Sequence, residues 1–528
     1  MIGRWGVGSG VSDGSSSAPG KAAGSPPRPA MIERRVLDGI WVIGIAILLA
    51  GCGSGSTVVS DPLSDVRNER LGRTQRIKAI HEAWAMAESG TADRISVRED
   101  LKTVAWSGNW PLEMRLAALH DLASDTSEKG RADTATMFEL MLPREPDASV
   151  TKFLSEHVAA AGRAEATPAL VRSLSRPWPG TPDSARPEYA AISALNPGKS
   201  VQEVVYDVFL HPPQEGGAFG LLPAERVRAD AWDLLARVDA DGSARARLLG
   251  SDDPNPIAPV VDMRASEQEL RCLPLSGDEL RWLSSLHDQR DPVKRAWWDQ
   301  TASAVAKVDA KLAPRLQLRH LEPIRWTSVH HPGWLTASRQ ELLSELAQRL
   351  ERRETHRRRI RENQNWRPSP EKLSDWASKL SWADVLAILV IDDAIHERAL
   401  VNALFAQAGM DYEDRSAEYG GVIRAYSGGT GAEAVLYAPR PGSRRGDHEF
   451  VASSDMINQS DDALAHYHFH VQEPRNSEYA GPSANDLAYA ARYGRSCLVL
   501  TSVASGVMDV DFYQPDGAVI DLGEIRRD

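Results

Sequence analysis

Three histidines at alternate positions, His466, His468 and His470, are followed by a twelve-residue loop, Val471 to Pro482, and then by a Ser-x-x-Asp at Ser483 and Asp486. On an extended strand, alternate side chains share a face. The imidazoles therefore stand side by side, while Tyr467 and Phe469 face the other way, toward a core. Zinc takes nitrogen and carboxylate ligands and, in catalytic sites, keeps one position for water. His468, His470 and Asp486 are thus a candidate three-ligand set. Each piece also has a plainer reading. Ser483-x-x-Asp486 before a helical run is a capping box. His468-x-His470 alone is a weak strand pattern, and Glu418 beside Gly420 and Gly421 reads alone as a turn residue.

The elements that must position these residues lie where the period of the chain changes. After Ser381, helical and apolar signals run from Leu386 to Ala408 and stop at Gly409. The short β-rich runs GGVIRAY, AVLYA, EFVA, ALAHYHFH, CLVLTSV, VMDVDFY and AVIDL follow, divided by SGGTG, RPG, ASG and QPDG. One helix, from about Ala484 to Tyr493 and closed by Gly494, interrupts them. Residues 381–528 therefore read as an α+β domain.

Residues 70–362 read as helical. Leu112, Leu116, Leu119 and Leu122 recur at three- and four-residue steps, as expected of one buried helix face. Val150, Phe153, Leu154, Val158 and Ala161 repeat the pattern up to Gly162. A second helix opens at Thr167-Pro168 with Leu170, Val171 and Leu174. Helices in pairs, each too small to bury its face alone, suggest stacked repeats. The stretch HVAAAGRAEATPALVRSL is similar to a degenerate HEAT-type unit. His330-His331-Pro332-Gly333-Trp334 holds adjacent histidines on a turn, which rarely converge on a metal. The charge run from Glu351 to Arg361 reads as a solvated helix face. Residues 363–380, which begin NQNWRPSP, read as a linker.

At 528 residues the chain exceeds one ordinary core, and 42% hydrophobic with 25% charged residues is a globular composition. A formal net charge of −12 argues against general nucleic-acid binding. There is no GxSxG elbow and no CxxC pair, and Gly428-Gly429-Thr430-Gly431 lacks the lysine of a phosphate-binding loop and reads as a hairpin turn.

The first thirty residues are Gly/Ser/Ala/Pro-rich and precede Met31, a candidate true start. Glu33, Arg34 and Arg35, an apolar span from Gly39 to Leu49, and Leu49-Ala50-Gly51-Cys52 follow. The span has the length of a signal h-region rather than a transmembrane helix. This segment resembles a bacterial lipoprotein signal. The resemblance implies cleavage after residue 51, lipidation of Cys52 and a tether over residues 52–69. Gly53 after the cysteine resembles the pattern sorted to an outer membrane, facing the periplasm. The other reading is an uncleaved N-terminal anchor. Cys272 and Cys497 do not make a disulfide framework, and Cys497 reads as a small buried thiol.

Glu418-Tyr419-Gly420-Gly421-Val422-Ile423, His468-Phe469-His470 and Ser483-Ala484-Asn485-Asp486 together resemble the JAMM (JAB/MPN) metalloproteases, in order and in setting. The resemblance covers about a quarter of the chain. It implies that His468, His470 and Asp486 bind zinc, that Glu418 is the general base, and that Ser483 steadies the oxyanion. Val471 stands where that family usually has proline, the loop before Ser483 is longer than usual, and His466 is additional. The fold expected is thus multidomain, an α-helical repeat-like region followed by an α+β JAMM-like domain. The function expected is a membrane-anchored zinc peptidase or isopeptidase, with a protein or peptide as substrate or as partner of the repeats. The competing reading is a non-catalytic scaffold lipoprotein carrying a degenerate JAMM-like module.

Overall fold

The computed structural model describes residues 61–213, 224–239, 242–250, 253–357, 368–426, 431–446 and 449–527, which belong to one compact unit, Val59–Asp528. Met31, the lipobox with Cys52, the tether up to residue 60, Arg358 and Arg359, the Asn363–Arg367 part of the linker and Gly428–Thr430 lie outside the described residues.

Helices follow one another from Pro62 to Leu350. In the Leu112–Ala123 helix the buried stripe is Met114, Ala117, Ala118, Leu119 and Leu122, while Leu112 and Leu116 are half-buried at its flank. Arg115 is also buried there, because its guanidinium donates to Glu145 (Nη1 to Oε1, 3.1 Å). The Ala148–Ala160 helix is capped by Asp147, which accepts from the Ser149 and Val150 amides, and Gly162 turns the chain at φ +65°. The partner helix spans Thr167–Ser175 with Pro168 in its first turn, although Ala166 rather than Thr167 holds the cap position. No helix among the described residues is long and apolar enough to cross a membrane.

The C-terminal part is a six-stranded mixed sheet in the order β2-β1-β3-β4-β5-β6. The strands are β1 (Gly420–Ala425), β2 (Ala432–Leu436), β3 (Ala463–His470), β4 (Cys497–Ala504), β5 (Val507–Tyr513) and β6 (Val519–Arg526). All neighbours are antiparallel except β3 and β4. A parallel pair needs a crossover, and the Ala484–Tyr493 helix provides it. The EFVA run forms no strand; Glu449 to Ala452 is irregular, and Phe450 serves the site instead. The apolar signal from Leu386 to Ala408 is two helices, Trp382–Ile395 and Arg398–Glu413, and the second runs through Gly409.

Helices and sheet share a core. The Trp382–Ile395 helix has no polar side; every residue but Asp393 is buried, as expected of a helix enclosed on all sides. It touches the Leu318–His330 helix on the helical side and β3 on the other. Its first turn holds a buried ion pair, Arg319 Nη2 to Asp384 Oδ1 at 2.6 Å, while Asp384 Oδ2 accepts the Ser381 amide at 2.7 Å. Within the 363–380 segment, Leu373–Trp376 is helical and the Glu371 carbonyl accepts the Asp521 amide of β6 at 2.9 Å. Cys272 and Cys497 are both buried free thiols.

One face of the sheet carries Tyr467, Phe469, Leu498, Leu500, Val510, Phe512, Ile520 and Leu522 into the main core. By alternation, the opposite face carries His466, His468 and His470 of β3, Val499 and Thr501 of β4, and Asp509, Asp511 and Tyr513 of β5. That second face lies beneath the crossover helix and the loop that precedes it.

Candidate metal centre

His468 and His470 point their Nε2 atoms at one another across 3.3 Å. Asp486 Oδ1 lies 3.4 Å from His468 Nε2, and Glu418, His468 and His470 each offer an atom within 4.8 Å of the others. Two ligands about 2.0–2.1 Å from a tetrahedral zinc ion stand roughly 3.3–3.4 Å apart. Both observed spacings, each measured to His468 Nε2, match that edge length, and imidazole and carboxylate donors suit the ion in chemistry; the donors that all lie within 4.8 Å of one another are Glu418, His468 and His470, without Asp486.

Local folding explains each position. β1 pairs antiparallel with β3, placing Gly420 opposite His468 and Gly421 opposite Tyr467. Glu418 therefore enters the site from just before β1. Neither glycine tolerates a side chain. A Cβ at Gly420 would lie 2.4 Å from the Phe450 ring, and one at Gly421 would lie 2.1 Å from the Val435 carbonyl. The room left at Gly420 is filled by Phe450, stacked on the His468 imidazole (centroids 5.2 Å apart, planes 12° apart).

The loop between His470 and Ser483 is built around Asn476, which is 3% exposed. Its amide donates to the Ser502 carbonyl at 2.6 Å; its side chain donates to the His470 carbonyl at 3.2 Å and to Gln472 Oε1 at 2.6 Å. Gln472 Nε2 in turn donates to Glu418 Oε1 at 2.8 Å. At the next bend the Tyr479 carbonyl accepts from His470 Nδ1 at 3.0 Å. A carbonyl can only accept, so Nδ1 carries the proton and Nε2 keeps its lone pair toward Glu418 and His468.

Ser483 and Asp486 form the helix cap that their spacing writes. Ser483 Oγ accepts the Asp486 amide at 3.3 Å and Asp486 Oδ2 accepts the Ser483 amide at 2.6 Å, a complete capping box. Oδ1 is thereby left to face His468. Burial would raise the Asp486 carboxyl, but His468, then His470 and the Ser483 amide, hold it well below the carboxylate range. Burial would depress His468, but Asp486, with Glu418 and Asp411 behind it, holds it above the ordinary imidazole value. In physical terms the site attracts positive charge.

His466 shares the strand face but stands apart from this group. Its Nδ1 meets the Tyr489 hydroxyl at 2.8 Å, Nε2 is buried without a hydrogen-bond partner, and burial pushes its pKa far down. It is a neutral histidine that holds Tyr489.

A cleft of about 600 Å³ opens over the centre, walled by Glu418, His470, Ser483 and Asp486 together with Tyr479 and Tyr489. His468 is 1% exposed and lies below that surface. Gln472, Asn476, Phe450 and Tyr479 are site residues that periodicity and motif spacing do not single out. Their contacts depend on how an irregular loop closes, and only the position of Asn476 within the long loop hints at its use. No protein-family model, curated protein or solved structure matches this chain.

Proposed function

We propose that this chain is a zinc-dependent hydrolase of peptide or isopeptide bonds, similar in its site to the JAMM metalloproteases, tethered to a bacterial envelope membrane through a lipid on Cys52 and carrying a helical, HEAT-like scaffold. The observation that carries the reading is that His468 Nε2 stands at tetrahedral-edge distance from both His470 Nε2 and Asp486 Oδ1, with Glu418 close to the two histidines at the wall of a cleft.

When bound, zinc polarises a carbonyl and lowers the pKa of water to about 7. His468, His470 and Asp486 hold the ion, and the Tyr479 carbonyl fixes the His470 tautomer. Glu418 takes a proton from the attacking water and delivers it to the leaving amine. Capping engages Ser483 Oγ as an acceptor, so its O–H can donate to the developing oxyanion.

One observation favours the second reading, a non-catalytic scaffold lipoprotein with a degenerate module. Gln472 donates to Glu418 from the long loop and so occupies the group that must move a proton. The experiment that tests the leading reading is metal analysis of the full chain after zinc exposure, alongside hydrolysis of an unstructured peptide library. One zinc per chain, lost in His468→Ala and in Asp486→Ala, is expected. A wild-type chain that takes up no zinc overturns the reading; zinc without any hydrolysis favours the scaffold.

A further inference from the structure

The same sheet face continues past the histidines into a second polar group. In register, His468 is followed across the sheet by Val499, Asp511 and Asp521, and His470 by Thr501 and Asp509. With strands about 4.8 Å apart, the aspartates stand roughly 10 Å from the histidines, too far to share one ion with them. Asp509, Asp511 and Asp521 each offer an oxygen within 4.8 Å of the others.

This is more than an acidic patch. Asp509 and Asp511 are completely buried, and none of their four carboxylate oxygens meets hydrogen-bond geometry with a partner. The Gly481 amide pulls the Asp511 carboxyl down, and Asp509 and Asp511 face each other closely enough to interact. Burial, and the charge of neighbouring carboxylates, raise both carboxyls, Asp509 to about 9, so the pair ionises only where a positive charge compensates it. Glu371 faces the same point: a Cβ built on Gly481 would lie 2.7 Å from Glu371 Oε1 and 3.9 Å from Asp511 Oδ2. Gly481 has φ +82°, so a residue without a side chain leaves this space between the two carboxylates. On β6, register shifts across the β5 pairing, so that Asp511 faces Asp521 and Asp509 faces Glu524. Gly523, at φ +82°, donates to Asp521 Oδ1 at 2.7 Å, and the His356 amide donates to Asp521 Oδ2 at 3.1 Å.

We propose that Asp509, Asp511 and Asp521, with Glu371, form a second metal site that takes a hard divalent cation of the calcium class. The donors are all carboxylate oxygens, which select hard cations over zinc. Ligands about 2.4 Å from a calcium ion lie at most roughly 4.8 Å apart, and these three carboxylates each offer an oxygen within 4.8 Å of the others. Magnesium gives up its water reluctantly, which disfavours it where two ligands are fully buried. Two of the four carboxylates, Asp521 and Glu371, line a separate cleft of about 800 Å³ together with Thr355 and Lys372. The site also bears on the histidine centre. Gly481 stands against Glu371 and Asp511, and two residues earlier Tyr479 orients His470, so a cation here anchors the loop that orders the first centre.

The test uses the full chain, stripped with a chelator and titrated separately with calcium, manganese and magnesium, read by direct metal analysis and by the thermal midpoint. One saturable calcium per chain with a rise in midpoint is expected. Asp511→Asn and Asp521→Asn should each weaken calcium binding by at least about 100-fold, while His468→Ala keeps it. Metal analysis of the unsubstituted chain decides the matter if a variant does not fold. No saturable binding of any of the three cations overturns the proposal, as does loss of calcium in His468→Ala. A higher midpoint in Asp511→Asn with no response to cations likewise overturns it, and assigns the aspartates to shared protons.

Discussion

The Nδ1 atom of His470 donates to the carbonyl of Tyr479 across 3.0 Å. This bond ties a residue of β3 to the loop that carries the chain on to Asp486, so ligand orientation depends on loop closure rather than on the strand alone.

Asn476 is the residue that closes the loop, through the His470 carbonyl, Gln472 and Ser502. Supports of this kind typically contribute 10–100-fold to metal affinity. Asn476→Ala is expected to weaken zinc binding by about that factor in a competitive chelator titration. Unchanged affinity would mean that the loop is held in other ways.

Glu418 should be dispensable for metal and essential for turnover. Glu418→Gln is expected to retain zinc and to lose about 10²–10⁴-fold in kcat, as read by peptide hydrolysis with parallel metal analysis. Full activity would remove Glu418 from the mechanism. Gln472→Ala releases the contact on Glu418 Oε1; if that contact is inhibitory, hydrolysis rises.

Gly494 ends the crossover helix at φ +67°, and a Cβ there would fall 2.0 Å from Glu279 Oε1 and 2.7 Å from its Cδ. Gly90, at φ +77°, has nothing within 4 Å of the corresponding position. Gly90→Ala should cost only the backbone strain, about 1 kcal/mol, and Gly494→Ala several times that. Urea denaturation of the two variants checks the difference; equal losses would show that the helical region yields at this contact.

Glu279 carries a pH dependence. Burial is the largest influence and raises its carboxyl, the Leu275 amide and Arg495 pull the other way, and the result is a pKa of about 7. Its folded value thus exceeds its unfolded one, near 4.5. The folded state then binds more protons in that window, and stability falls as pH rises from about 4.5 to 7, then levels. The loss amounts to about 3 kcal/mol. Glu279→Gln should remove this component, so the variant gains on the wild type across the window in denaturation midpoints taken from pH 4 to 8. A constant gap between the two would refute the assignment.

Lipidation at Cys52 has a direct check by membrane fractionation. Cys52→Ala is expected to move the protein from the membrane pellet to the soluble fraction. Tight attachment of the variant would point instead to the uncleaved N-terminal anchor.

Neighbours along the chain are enough to dictate part of this architecture, and that part is legible in the sequence alone. Period two places His466, His468 and His470 on one face. The three-residue spacing of Ser483 and Asp486 writes a helix cap, and Gly494 closes that helix where the pattern ends. The same locality misled at Glu449–Ala452, where apolar composition suggested a strand, and at Gly409, an exposed glycine that the Arg398–Glu413 helix runs through to bury Asp411, which accepts the Tyr419 amide. Tertiary structure decided the rest. Glu418 meets His468 only because β1 pairs with β3, and Asp486 returns to His468 only because Asn476 and Tyr479 fold the loop. His466 and His468 have the same local pattern but opposite fates, one held by Tyr489 with its pKa driven down by burial, the other with its pKa raised by Asp486. Asp509 and Asp511 look in sequence like ordinary polar positions of an alternating strand. They became a buried carboxylate pair when β6, Glu371 and Gly481 closed over that face. The physical reason is that ligand geometry and desolvation are set by through-space distances of a few ångströms between segments tens to more than a hundred residues apart, and periodicity carries no information about those distances.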